Sequence, residues 1–349
     1  MTPEQQAELE RTSTMFHIAL VELGAQSMQD ALTLWQDVPP VTTDSAGRTT
    51  EKWLASAVSY VMNRRIRAKD LALAYYRYQR AVATGTTIAK PGEQPAEYVS
   101  IFELKQEFES LIHPSDTSNI DEPQAGSEDG EIDENDRILV EELDNLQAEM
   151  DEADRQAKMQ IEDALQALGP DNMDRKIKAI EHETVDEVEA ERQLAHKQAG
   201  NRQAATAARE VMNGARGSLY DLGTQDKRVL GYVRVSRTGT PCGWCAMLIS
   251  RGFVAKSSMY RSSEGTGVNA DGSITTYGDL DLYHDNCQCY AVPIYAREQL
   301  EGDFFALNRK YGELWPEVTK GLGGNAAISA WRLFIRNEAK SQKSQVAAA

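Results

Sequence analysis

Cys242, Cys245, Cys287 and Cys289 are all the cysteines of the chain, and they fall together between Pro241 and Tyr290. The first pair reads Pro241-Cys-Gly-Trp-Cys245. The second reads His284-Asp-Asn-Cys-Gln-Cys289 and adds one of the five histidines. C-x-x-C sets two thiols on one tight turn, a spacing that recurs in tetrahedral zinc sites, and Gly243 suits such a turn. Cys242, Cys245, His284, Cys287 and Cys289 therefore offer five soft donors for an ion that takes four. Cys242, Cys245 and Cys287 are the expected first three, with Cys289 or His284 as the fourth. The remaining donor is left to hydrogen-bond from outside the ligand shell. Four protein ligands leave no open coordination position, so zinc is expected as a structural clip. Reduced thiols that merely pack, and a disulfide or redox pair, are the other two states these residues allow. A reducing compartment favours metal over disulfide. That compartment is expected because Met-Thr-Pro-Glu-Gln-Gln has neither the basic nor the apolar region of a signal peptide.

Other chemistries find less support. Pro241-Cys-Gly-Trp-Cys245 matches one half of the zinc-deaminase signature. The other half needs His or Cys two positions before Glu, upstream of Pro241. His182 is followed directly by Glu183, which is the wrong spacing. There is no G-x-S-x-G, no H-E-x-x-H and no phosphate-binding P-loop. No catalytic residue is assigned.

The elements that must carry the cysteines are mostly helical. Leu9, Phe16, Leu20, Leu23, Met28, Leu32 and Trp35 recur near helical spacing, which predicts a helix over 3–37 that stops at Pro39-Pro40. A second helix is expected over 51–84 and a short one over 99–111. Residues 1–112 form the expected helical N-terminal domain. Residues 113–136 are acidic, lack Lys and Arg, and bury too little apolar surface to order themselves, so a disordered linker is expected. Leu139, Leu143, Leu146, Met150, Ala153 and Ala157 then recur at heptad-like steps. Gly169-Pro170 breaks the pattern and a second helix follows to Asn213, which predicts a long helical hairpin over 137–216. Arms of roughly 50–60 Å would suit a spacer. Gly214 and Gly217 are expected to hinge this hairpin to a C-terminal domain over 217–341. Val229–Val235 and Tyr290–Tyr295 are its expected strands. Helices over 296–310 and 325–340 close it, and 342–349 form a flexible tail. The fold class is thus α+β, mostly α, with a small C-terminal α+β domain stapled by the Cys/His cluster.

A net charge of −17 should repel bare DNA from the molecule as a whole, so any nucleic-acid contact must come from a local basic face. Arg64, Arg65, Arg67, Arg77 and Arg80 on the second helix are the candidates for such a face. No run approaches the roughly 18 apolar residues of a membrane span.

The run Arg237-Thr-Gly-Thr-Pro-Cys-Gly-Trp-Cys-Ala-Met-Leu-Ile-Ser-Arg-Gly252, followed by Tyr283-His-Asp-Asn-Cys-Gln-Cys289, resembles the C-terminal domain of phage minor head proteins. These are the Mu F-like head-morphogenesis proteins of tailed bacteriophages, in the form found in phages of actinobacteria. The family pattern is C-x-x-C, a variable insert, then His-Pro-Asn-Cys-Arg-Cys. Asp285 stands here for the Pro and Gln288 for the Arg. The helical stretch Leu71–Gly85 is similar to the same group. The resemblance implies a minor capsid protein inside the virion head, associated with the portal protein and with the major capsid or scaffolding protein. It would act in procapsid assembly and in DNA packaging or ejection. A capsid maturation protease is the enzyme-class alternative, and a DNA-binding internal head protein the second.

Overall fold

The computed structural model describes residues 1–112, 136–181, 184–236, 241–255, 265–268, 274–277 and 287–348. His284, the expected linker over 113–136 except for Asp136, and most of the insert between the cysteine pairs lie outside these residues.

Helix α1 (Pro3–Trp35) begins with a reciprocal cap. The Thr2 hydroxyl accepts the Gln5 N–H, the Gln5 side chain accepts the Thr2 N–H, and Pro3 occupies the first turn, where its missing donor costs nothing. After the one-turn α2 (Thr43–Ala46), α3 runs from Arg48 to Thr84. It stops at Gly85, whose φ of 70° is the left-handed conformation that glycine adopts without strain. From Leu71 to Val82 every residue of α3 is buried, so this end is wrapped on all sides.

Three short strands follow the helix: β1 (Thr86–Ile88), β2 (Tyr98–Ser100) and, after α4 (Ile101–Ile112), β3 (Arg137–Glu141). β3 is central, parallel to β1 and antiparallel to β2, with Leu139 opposite both Thr86 and Tyr98. The heptad-like spacing predicts Leu139 and Leu143 at the start of a helix. Ile138 and Val140 are β-branched and alternate with Leu139, and this stretch pairs as a strand instead. The helix α5 starts later and spans Leu146–Leu168.

The break at Gly169-Pro170 is where expected, with α6 (Pro170–Lys178) starting on the proline. After α6 comes α7 (Val185–Gln225), a 41-residue helix. This second arm of the hairpin is no projecting spacer. Ala195, Ala199, Ala204, Ala207, Val211, Ala215, Leu219 and Leu222 are buried in one continuous core with α1 and α3. Gly214 and Gly217 are not a hinge, because α7 runs through both. Gly214 instead permits close approach of α7 to α3. A Cβ there would lie 2.7 Å from the Arg65 carbonyl oxygen, which belongs to rigid helix backbone. Gly214→Ala should gain about 1 kcal/mol of helix propensity and lose more to overpacking, typically ~1–3 kcal/mol. Net destabilisation is the expected outcome of a urea titration.

The C-terminal sheet has the order β5-β4-β8. β4 (Gly231–Val235) is central, and β5 (Phe253–Ala255) and β8 (Tyr290–Ile294) pair with it antiparallel. Pro293 sits on the edge strand β8, where its missing N–H is tolerated. Between β4 and β5 lies the seven-residue α8 (Gly243–Ile249). The insert contributes a hairpin of β6 (Gly265–Val268) and β7 (Ile274–Tyr277). The helix expected over 296–310 is replaced by two 3₁₀ turns, Arg297–Glu301 and Asp303–Phe305, ahead of α9 (Ala306–Val318). Gly302, in extended backbone, interrupts the helical ladder there. α10 (Gly324–Ala348) completes the chain and continues through the residues expected as a flexible tail. α8, α9 and α10 enclose a separate core of Met247, Leu248, Ile249, Tyr311, Trp331 and Ile335. Trp331 is its centre, edge-on to Tyr311 and Trp315 and stacked on Phe334.

Of the five arginines expected to form a basic face, Arg64, Arg65, Arg77 and Arg80 are committed to partners within the protein. Arg64 pairs with Asp30, Arg65 donates to the Glu210 carbonyl, Lys69 pairs with Asp154 and Arg77 with Glu107. Arg80, 1% exposed, pairs with Asp226 at 2.6 Å and also with Glu141. Phosphates would have to displace these carboxylates. Retention of the intact protein on duplex DNA is therefore expected to be weak even at low salt. A steep fall of binding with salt, the mark of several phosphate contacts, would restore the DNA-binding expectation.

Candidate metal centre

The end of α7, the strand β4, the start of α8 and the segment leading into β8 converge on the cysteines. Cys242 caps α8, its sulfur accepting the Cys245 N–H at 3.3 Å. Cys245 lies in the first turn of that helix, and its side chain points into the core. Cys287 and Cys289 precede β8. Cys245, Cys287 and Cys289 are 1–4% exposed and form their own buried cluster. Their sulfurs make a triangle with sides of 3.0, 3.0 and 3.3 Å.

These distances far exceed the ~2.05 Å of a disulfide, and all four cysteines are free thiols. They fall short of the tetrahedron edge of about 3.8 Å that follows from a Zn–S bond of ~2.3 Å. Ligation therefore needs each edge to open by about 0.5–0.8 Å, within reach of side-chain rotation. The donor set fits a soft divalent ion: three buried sulfurs able to lie within 4.8 Å of one another. Of the five donors expected from sequence, the structure gathers Cys245, Cys287 and Cys289. Cys242 is exposed at the rim of the cluster, outside the triad. Cys289, one of the two candidates expected for the fourth place, lies in the buried triad, and Cys242, expected among the first three, lies outside it. His284 lies outside the described residues.

Two further residues belong to the site. Arg234, in the middle of β4, is 0% exposed and donates Nε–H to the Cys289 sulfur at 3.1 Å. Arg216, on α7, is 2% exposed and donates to the Cys287 carbonyl oxygen. An arginine inside the apolar run Val229–Val235 was a visible signal. Arg216, in an Ala- and Gly-rich helix end, carried none. Asn308 of α9 braces the same region, donating to the Arg234 carbonyl at 2.7 Å and the Ile249 carbonyl at 3.0 Å.

The electrostatics divide the three thiols. Hydrogen bonds from Cys245 and Cys289, assisted by the charges of Arg216 and Arg234, hold Cys287 far below the ordinary thiol range. Hydrogen bonding with Cys242, Cys287 and Cys289, together with burial, pushes Cys245 up. Burial pushes Cys289 up to about 11. A metal that claimed all three sulfurs would bind them as thiolates and release the protons they carry. The cluster is covered rather than open, which suits a clip and not a substrate cleft. His17 and His196 play packing parts elsewhere, the first stacked on Tyr290 and the second on Trp35.

The region that holds this site has known relatives. A family model described as VG15 protein matches residues 146–314, from the first residue of α5 into α9, including the three buried cysteines and both arginines. The Gene 15 protein of Mycobacterium phage L5 is 29% identical over 139 residues, which cover 33% of this chain and 47% of that protein. The likeness is to a bacteriophage protein. The match spans about half the length of that relative. No solved structure matches the chain. Among the described residues no helix is long and apolar enough to cross a membrane.

Proposed function

We propose that the chain is a minor head protein of a tailed bacteriophage, of the Mu F-like type, held inside the capsid against the portal protein. It acts in procapsid assembly and in DNA packaging or ejection, through contacts with the portal and with the major capsid or scaffolding protein. A structural zinc on Cys245, Cys287 and Cys289, completed by Cys242 or His284, fixes its C-terminal part. The observation that carries this reading is the covered thiol cluster inside the stretch matched by the VG15 protein model, in a chain that is similar to a phage protein. A buried, ligand-rich site supports a clip, and a clip supports a scaffold role over an enzymatic one. The net charge of −17 favours protein surfaces over DNA as partners.

Co-expression with the portal and major capsid proteins of the same phage tests the proposal. The expected result is co-purification with the portal ring and an uncleaved capsid protein. Specific cleavage of the capsid protein, lost on His284→Ala or on changing one serine, would overturn it in favour of the maturation protease. The zinc is tested separately, by metal analysis of protein purified without chelator. Less than ~0.2 zinc per chain removes the clip and leaves the assembly role to be judged by co-purification.

A further inference from the structure

We infer that Arg216 and Arg234 are the positioning residues of a thiolate metal centre on Cys245, Cys287 and Cys289. The inference rests on the zinc reading above. A guanidinium leaves water only where its charge and its fork of donors are met. Both of these are at most 2% exposed, and they come from unrelated elements, α7 and β4, to reach one short segment. Arg234 donates to the Cys289 sulfur itself, and Arg216 to the carbonyl of Cys287 two residues earlier. Together they bracket Cys287-Gln288-Cys289, one holding a ligand atom and the other the backbone between ligands.

Such placement has two consequences for a bound metal. Zinc with three or four thiolates carries net negative charge, and two adjacent guanidiniums offset it inside the core. An N–H donated to a ligating sulfur also fixes that sulfur's rotamer and withdraws charge from it, as outer hydrogen bonds do at metal sites generally. The chemical class selected is therefore a thiophilic divalent cation bound as a thiolate complex, rather than an oxygen-seeking ion such as magnesium or calcium. A purely structural role would also bury these arginines, since Arg216 bonds Asn213 on its own helix at 3.3 Å. The two roles part over metal retention.

The test uses the full chain loaded with zinc and titrated with the chromophoric chelator 4-(2-pyridylazo)resorcinol. Arg234→Met and Arg216→Met are expected to release zinc at about 10–100-fold lower chelator concentration than the wild type. Far-UV circular dichroism and elution volume should stay unchanged. Arg234→Lys, which keeps the charge and loses the fork, should fall between. In cobalt-substituted protein the sulfur-to-metal charge-transfer band of Arg234→Met should shift, which a merely structural arginine would not cause. Wild-type zinc retention by a folded Arg234→Met variant overturns the inference. If the Met variants do not fold, Arg234→Lys and Arg216→Lys decide it, and unchanged retention in both overturns it equally. A wild type that binds no zinc sinks the zinc reading itself, and that result is seen before any arginine is changed.

Discussion

Asp226→Ala is expected to destabilise the protein by about 3–5 kcal/mol, because it strands a buried guanidinium. Asp226 closes α7 and is 1% exposed, as is its partner Arg80 on α3. The carboxylate also accepts the Tyr76 hydroxyl at 2.7 Å and the Arg228 N–H at 2.9 Å. Arg80 reaches on to Glu141 of β3, which Arg228 grips as well. One ion-pair network thus joins the two longest helices to the first sheet. Against a total stability of ~5–15 kcal/mol, this loss should show as a large drop in the urea midpoint. Asp226→Asn keeps the shape and some hydrogen bonds and should cost less. A variant as stable as the wild type would mean that Glu141 alone satisfies Arg80.

The same network sets an acid limit. Burial by itself would raise Asp226, but hydrogen bonds from Arg80, Arg228 and Tyr76 outweigh it and hold the carboxyl below its ordinary range. Arg228 and Arg80 lower Glu141 to about 2, against partial burial. Both groups have folded values below their unfolded ones, so their contribution is complete above about pH 4. It is lost as pH falls from there toward about 2, where the folded protein finally takes up the protons. The acid unfolding curve of Asp226→Ala should be flatter over that window.

How much of this was legible in the residues varies by element. The caps and breaks were plain, because Pro39-Pro40, Gly85 and Gly169-Pro170 act locally. The strand β4 was plain too, since a short run of β-branched and aromatic residues has few other uses. β3 was hidden because Arg-Ile-Leu-Val-Glu fits either a strand or the start of a heptad series, and long-range pairing with Thr86 and Tyr98 decides between them. The role of α7 was hidden for a related reason. Alanine and glycine give a weak stripe, yet small side chains are what allow α1 and α3 to approach it. Gly200 meets the Trp35 ring, and Gly214 meets α3. Gly214, which the sequence suggests as a hinge, is a contact point, as is Gly200. At the thiol cluster the spacing of the cysteines points to a group that could hold a metal. Which sulfur turns inward depends on α8. That short helix turns Cys245 into the core and leaves Cys242 as its N-cap, a distinction of backbone conformation that the C-x-x-C pattern does not contain.

The buried triad and the exposed cap order the cysteine variants. If the proposed zinc is bound at about one per chain, Cys287→Ser is expected to reduce it to below ~0.2, and Cys245→Ser and Cys289→Ser to do the same. Each removes one of three convergent buried sulfurs and puts in its place a hydroxyl that a soft ion binds poorly. Cys242→Ser should keep more metal, since its sulfur sits outside the triad and the sequence offers His284 as an alternative fourth donor. Full zinc in Cys287→Ser would break the proposed site, and equal loss in all four variants would return Cys242 to the core of it. The structural effect should be local. The large core runs from α1 through β4 and β8 without needing the cysteines. The smaller core of α8, α9 and α10 joins it through the triad and through Asn308. Losing the metal should therefore raise amide exchange in α8–α10 while α1, α3 and α7 stay protected. Loss of protection along α7 as well would mean that the clip, through Arg216, also holds the central helix.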